Sequence, residues 1–207
     1  MTYTAIYNTA NVYTPHCLGN DSINFAFVPI FKNASSWGRD YFKYGCNMDK
    51  SYNWLVDDMS NHSFIVFLRD PIERWLTGIS TYFMNNHKDY FITDDKVFDM
   101  IFNGVTFDVH TAPQTLFIES LDTDRTYFFN LDDNNFINSL RKFVTKNSIG
   151  NPGHLPAFNI TKEGTYQHKM QEIFRDKLYN NKKYMDNIQW RLRGDIELIK
   201  KIRFENE

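Results

Sequence analysis

Apolar and polar positions along this chain follow two periods, one of strands and one of helices. Phe25–Ile30 and Phe64–Leu68 are short, nearly unbroken apolar runs, and each reads as a buried strand. After the first run, Ser35 or Ser36 can cap a helix that runs to about Tyr44, with Gly45 as its stop. After the second, Asp70 caps and Pro71 opens a helix whose buried face is Ile72, Trp75, Leu76, Ile79 and Phe83. Lys50–Met59, Asp94–Phe102 and Asn134–Val144 read as helical, and Thr115–Ser120 and Thr126–Asn130 as short segments of strand character. Thr106–Gln114 is loop-like. Lys146–Pro156, with Gly150, Gly153, Pro152 and Pro156, reads as a surface loop able to move. Residues 1–22, broken by Pro15 and Gly19, read as an irregular arm. Residues 160–207 read as two amphipathic helices, one on Tyr166, Met170, Ile173, Phe174 and Leu178, the other on Met185, Ile188, Leu192, Ile196, Ile199 and Ile202. Strands alternating with helices predict an α/β fold, a sheet with helices on its faces, in a single domain over 1–207.

Composition narrows the function classes. A formal net charge of −2 supplies no basic field for nucleic acid, so any anion site must be built locally. The two cysteines, Cys17 and Cys46, form no disulfide framework. No apolar run approaches the roughly 18 residues of a membrane span, and the first residues lack the basic flank and apolar block of a signal peptide. Of three sequons, Asn33-Ala-Ser lies inside a candidate ligand loop, where a glycan would block it. This favours a cytoplasmic protein, and richness in Asn, Lys, Ile and Phe fits an AT-rich microbial or phage genome.

Two loops carry candidate chemistry, since ligands of open α/β sheets bind beyond the C-terminal ends of the strands. Lys32-Asn33-Ala34-Ser35-Ser36-Trp37 lies between a strand and a helix N-terminus. There, backbone N–H groups, two hydroxyls and the Lys32 ammonium can cradle an anion. The Walker pattern is absent, and Asn33 follows the lysine where a magnesium-binding hydroxyl would stand, which weakens a nucleotide-hydrolysing reading. In the second loop, Arg69 leaves a buried strand and can aim its fork at a phosphate, with Thr77 adding a hydroxyl about two turns along the following helix. Read alone, either loop is equally an ordinary capped helix start.

Taken together, these landmarks resemble the membrane-associated carbohydrate sulfotransferases and their bacterial and phage relatives. Pro29-Ile30-Phe31-Lys32-Asn33-Ala34-Ser35-Ser36 is similar to that family's 5′-phosphosulfate loop. Leu68-Arg69-Asp70-Pro71-Ile72-Glu73-Arg74 is similar to its 3′-phosphate motif, with Thr77 in place of the usual serine. His110-Thr111-Ala112-Pro113-Gln114 resembles an H-W-x-P-Q element with Thr111 for the Trp, and Gly194-Asp195-Ile196-Glu197-Leu198 resembles a C-terminal signature without its Tyr. Ile30 and Phe31 stand between Pro29 and Lys32, where the family has Pro directly before Lys.

The resemblance implies a P-loop-like three-layer sandwich with a central, mostly parallel sheet. It implies sulfuryl transfer from 3′-phosphoadenosine 5′-phosphosulfate to an acceptor hydroxyl or amine, a glycan or glycolipid by the carbohydrate-type likeness with small phenols or amines as alternatives, without a metal, and with adenosine 3′,5′-bisphosphate as the other product. Lys32 is expected at the bridging oxygen, Asn33–Trp37 around the 5′ end, and Arg69 and Thr77 on the 3′-phosphate. His110 is the first choice of base, with His154, Asp40 and Glu119 as alternatives. Trp37, Tyr82 and Phe83 are candidates to line an acceptor cleft. A small-molecule kinase or other nucleotide-binding protein, and a non-catalytic binding module, are the competing readings.

Overall fold

The computed structural model describes residues 16–86, 94–104, 108–156 and 162–205. Most of the expected N-terminal arm, His87 and the sequon at Asn159 lie outside them. The chain divides into two compact units. Among the described residues, the sheet unit comprises 16–69, 117–156 and 199–205, and the helical unit 70–116 and 162–198.

The sheet unit holds five strands: β1 (His16–Asn20), β2 (Ile23–Val28), β3 (Lys50–Asn53), β4 (Ser63–Leu68) and β5 (Thr126–Asn130), in the spatial order β3-β1-β2-β4-β5. The α/β class is as expected, but the sheet is mixed. β1 runs antiparallel to β2 and β3, while β2, β4 and β5 are mutually parallel. Two segments differ from the sequence reading. His16–Asn20 is a strand rather than part of an irregular arm, and Lys50–Asn53 is a strand rather than a helix. Neither has a clear apolar period, and their conformation is set by pairing, Cys17 opposite Tyr52 and Leu18 opposite Ser51 between them, with Leu18 also opposite Phe27 of β2.

Phe27 of β2, Ile65 and Phe67 of β4 and Phe129 of β5 share one sheet face, as a period of two requires. Against them pack Trp37 of α1 (Ser35–Asp40), Tyr41 and Phe42 of the π turn that extends it (Tyr41–Gly45), and Phe136, Leu140, Phe143 and Val144 of the helix Phe136–Lys146. Each fully buried Phe contributes about 1.5–3 kcal/mol. Gly38 sets the approach of α1, because a Cβ there would lie 2.4 Å from the Phe27 ring. Ala26, Val28, Phe64, Val66 and Leu68, on the other face, are buried too. This explains why β2 and β4 read as apolar runs rather than alternations. At the far edge, Phe204 bridges Phe128, and the Glu205 N–H donates to Phe128 O at 2.9 Å.

The helical unit contains α2 (Pro71–Asn86) and α3 (Asp95–Gly104). After α4, the sheet unit's Phe136–Lys146, it adds α5 (Tyr166–Tyr179), α6 (Lys182–Arg191) and the start of α7 (Arg193–Lys201). Its core joins Trp75, Leu76, Ile79 and Phe83 of α2 to Phe98 and Phe102 of α3, Phe174 of α5 and Ile188 of α6. The expected C-terminal pair is thus three helices, with Leu192 the C-cap residue of α6. Gln114–Phe117 is a 3-10 turn where strand character was expected. Among the described residues no helix is long and apolar enough to cross a membrane.

Candidate functional site

Parallel pairing carries the chain out of β2 and β4 at the same end of the sheet, Val28 lying opposite Val66. Both candidate loops therefore leave from neighbouring strand ends. Asn33 joins them. It is fully buried, and its Nδ2 donates to the carbonyl of Phe67, two residues before Arg69, at 2.8 Å. That burial also withdraws Asn33 from glycosylation in the folded chain.

The first loop is bent by left-handed residues that are not glycine. The Asn33 N–H donates to Ile30 O at 3.1 Å, closing a turn with Lys32 at its third position at φ 66°. Ala34 follows at φ 52° and is the N-cap residue of α1. The expected serine cap is not formed: Ser35 and Ser36 fall inside the first turn. The helical ladder starts with Gly38 N–H to Ala34 O at 2.8 Å, so the amides of Ser35 and Ser36 lie ahead of it. Left-handed turns alternating along a backbone form the concave nests that take up anions. Lys32 is half-buried and Ser36 exposed.

Trp37 contributes differently from expectation. Its side chain is buried, stacked on Tyr41 at 5.1 Å, and its Nε1 donates to Pro156 O at 2.8 Å. Its ring is part of the sheet unit's core. Phe83 is likewise inside the helical core, 5.5 Å from Phe174. The Lys146–Pro156 segment is tethered rather than loose. Ile149 is buried, Asn151 N–H donates to Gly45 O at 2.7 Å, and Arg141 Nε donates to Pro152 O at 3.0 Å. His154 on this segment meets the Tyr44 ring edge-on at 5.8 Å. Asp40 and Glu119 are exposed.

In the second loop Asp70 caps α2 as expected, its Oδ1 accepting from the N–H groups of Ile72 and Glu73, each at 2.9 Å. Arg69 lies 3.6 Å from the Asp132 carboxylate, both partly exposed, a pairing worth little. Arg74 is fully buried and donates to the carbonyl of Ala112, while Glu73 pairs with Arg175 at 2.5 Å and raises the arginine's pKa further.

Thr77 and His110 belong to the helical unit. The Thr77 hydroxyl donates to Glu73 O at 2.9 Å, and its oxygen lies 3.3 Å from Gln171 Nε2. The one proton it has to give a phosphate is thus already used within its helix. His110 sits on a turn pressed against α2 at Gly78, where a Cβ would lie 2.0 Å from His110 O. Its Nδ1 is 2.7 Å from Asp108 Oδ2, a partner the sequence reading missed. The only signal was an Asp two residues before a His. Asp195, fully buried, holds the next stretch by accepting from Gln114 N–H at 2.7 Å and Thr115 N–H at 2.8 Å. Its place in the C-terminal landmark is therefore structural.

A cleft of about 820 Å³ runs along α4, lined by Asn138, Arg141, Lys142, Lys146 and Glu205 among others, and by none of the loop residues. Cys17 and Cys46 are buried, and burial pushes each thiol up to about 12, too high to serve as a nucleophile near neutral pH. Among the described residues no group of His, Cys, Asp and Glu side chains is placed to hold a metal ion. No protein-family model matches the chain, and no curated protein or solved structure does either.

Proposed function

We propose that the chain is a sulfotransferase using 3′-phosphoadenosine 5′-phosphosulfate, with its sheet as the centre of a P-loop-like sandwich. One observation carries the reading. Lys32 and Arg69 follow the C-terminal ends of neighbouring parallel strands, and Asn33 ties their loops together. Two cations at one strand edge, with a left-handed backbone and the amides of Ser35 and Ser36, fit a ligand with two anionic ends.

Bound there, the donor supplies the sulfuryl group: its sulfur–oxygen bond to the phosphate breaks as the acceptor oxygen bonds to sulfur, leaving adenosine 3′,5′-bisphosphate. Lys32 offsets charge on the departing phosphate oxygen. The loop from Asn33 to the Trp37 backbone holds the 5′ end, and Arg69 exchanges Asp132 for the 3′-phosphate. Thr77 is a weaker member of this set, because its proton is committed to Glu73. The same reading gives His110 the acceptor's proton, and the acceptor is a glycan or glycolipid hydroxyl met in the cytoplasm.

Thermal unfolding with nucleotides tests the reading. Adenosine 3′,5′-bisphosphate without magnesium is expected to stabilise the chain by a few kcal/mol at saturating excess, more than ATP does. Lys32→Ala and Arg69→Ala are expected to abolish both that shift and sulfuryl transfer while leaving the fold intact. A larger shift with magnesium and ATP would replace the reading with a kinase, and no shift with any nucleotide would leave a binding module.

A further inference from the structure

We propose that Asp108 is a positioning residue that holds His110 as the tautomer protonated on Nδ1 and so presents Nε2 as the proton-accepting nitrogen. The inference rests on the reading of His110 as the base and names what makes it one.

The Asp108 carboxylate grips His110 twice. Oδ2 lies 2.7 Å from the ring Nδ1, and Oδ1 accepts the His110 backbone N–H at 2.9 Å. A carboxylate oxygen accepts, so the ring nitrogen facing it carries the proton. Binding both backbone and ring fixes the side-chain torsions as well as the tautomer. The turn is closed on itself: Asp108 O accepts from Thr111 N–H at 3.1 Å and from Thr111 Oγ1 at 3.0 Å. The scaffold holds the turn from two sides. Gly78 of α2 admits the His110 carbonyl, and buried Arg74, one turn before Gly78, holds the carbonyl of Ala112. Downstream, the Asp195 carboxylate fixes Gln114 and Thr115. The His110 and Asp108 side chains keep 21% and 27% of their exposure, so the pair is partly buried by protein. A cap that only closed a turn would need the backbone contact alone. The second oxygen on Nδ1 makes the arrangement an oriented base of the kind in which a carboxylate fixes an imidazole.

Imidazole 15N spectra of the labelled chain, recorded at alkaline pH, test this directly, with His110→Gln assigning the signal. The expected pattern is a single Nδ1–H tautomer in the native chain and a mixture in Asp108→Asn. In turnover, Asp108→Asn is expected to lose on the order of 10²-fold or more in kcat with the donor KM unchanged, and to add little to the loss of His110→Ala. An Nε2–H signal in the native chain overturns the proposal whether or not the variant folds. So does an unchanged signal, or unchanged kcat, in the variant. If the native chain transfers no sulfuryl group at all, the proposed function falls, and the tautomer pattern alone then decides the role of Asp108.

Discussion

The Lys32 loop and the His110 segment solve one problem by opposite means. Each must hold irregular backbone in a defined shape next to regular structure. The Lys32 loop does it with backbone strain and one neutral amide: Lys32 and Ala34 are left-handed, and Asn33 donates to Phe67 O. The His110 segment does it with charges taken out of water, Arg74 donating to Ala112 O and Asp195 accepting from Gln114 and Thr115. The difference sets what each tolerates. Removing a neutral donor leaves one unsatisfied acceptor. Removing a buried carboxylate leaves several unsatisfied donors at once.

Substitutions break the contrast in order of size. Asp195→Ala strips the partner from two N–H groups and from the Thr115 hydroxyl, 2.9 Å away, and is expected to cost about 3–5 kcal/mol in denaturant unfolding. Asn33→Ala deserts one carbonyl and is expected to cost about 1–3 kcal/mol. A loss as large as that of Asp195→Ala would erase the distinction. Ala34→Gly relieves a left-handed residue and is expected to raise stability by about 0.5–1 kcal/mol. A destabilised variant would show that Ala34 is held there by contacts rather than strained.

The same two segments show where sequence reading reaches. The β2 and β4 strands, the Asp70 cap and the buried face of α2 were legible because a run, a cap and a helical period are local signals. The anchors were not. Arg74 meets Ala112 38 positions on, and Gln114 meets Asp195 across 81. Arg74 and Asp195 carry no local sign of their burial, because nothing nearby in sequence tells a buried, partnered charge from a solvated one. Trp37 reads as a candidate cleft residue for the same reason, its partner Pro156 being 119 positions away. The strands β1 and β3 were missed because each exists through its neighbour. In Lys146–Pro156, glycine and proline at 150–156 signalled a loop correctly, but not the hydrogen bonds from Asn151 and Arg141 that tie it down.

The covered margin of the sheet has a consequence for how this chain behaves among copies of itself. Thr126–Asn130 is aromatic and uncharged, the composition that recruits a strand from another molecule when its outer side stands open. Phe204 and Glu205 already occupy part of that side. The opposite margin is the four-residue Lys50–Asn53, short and charged. Phe204 and Glu205 thereby shield part of the open side of Thr126–Asn130 from a strand of another copy.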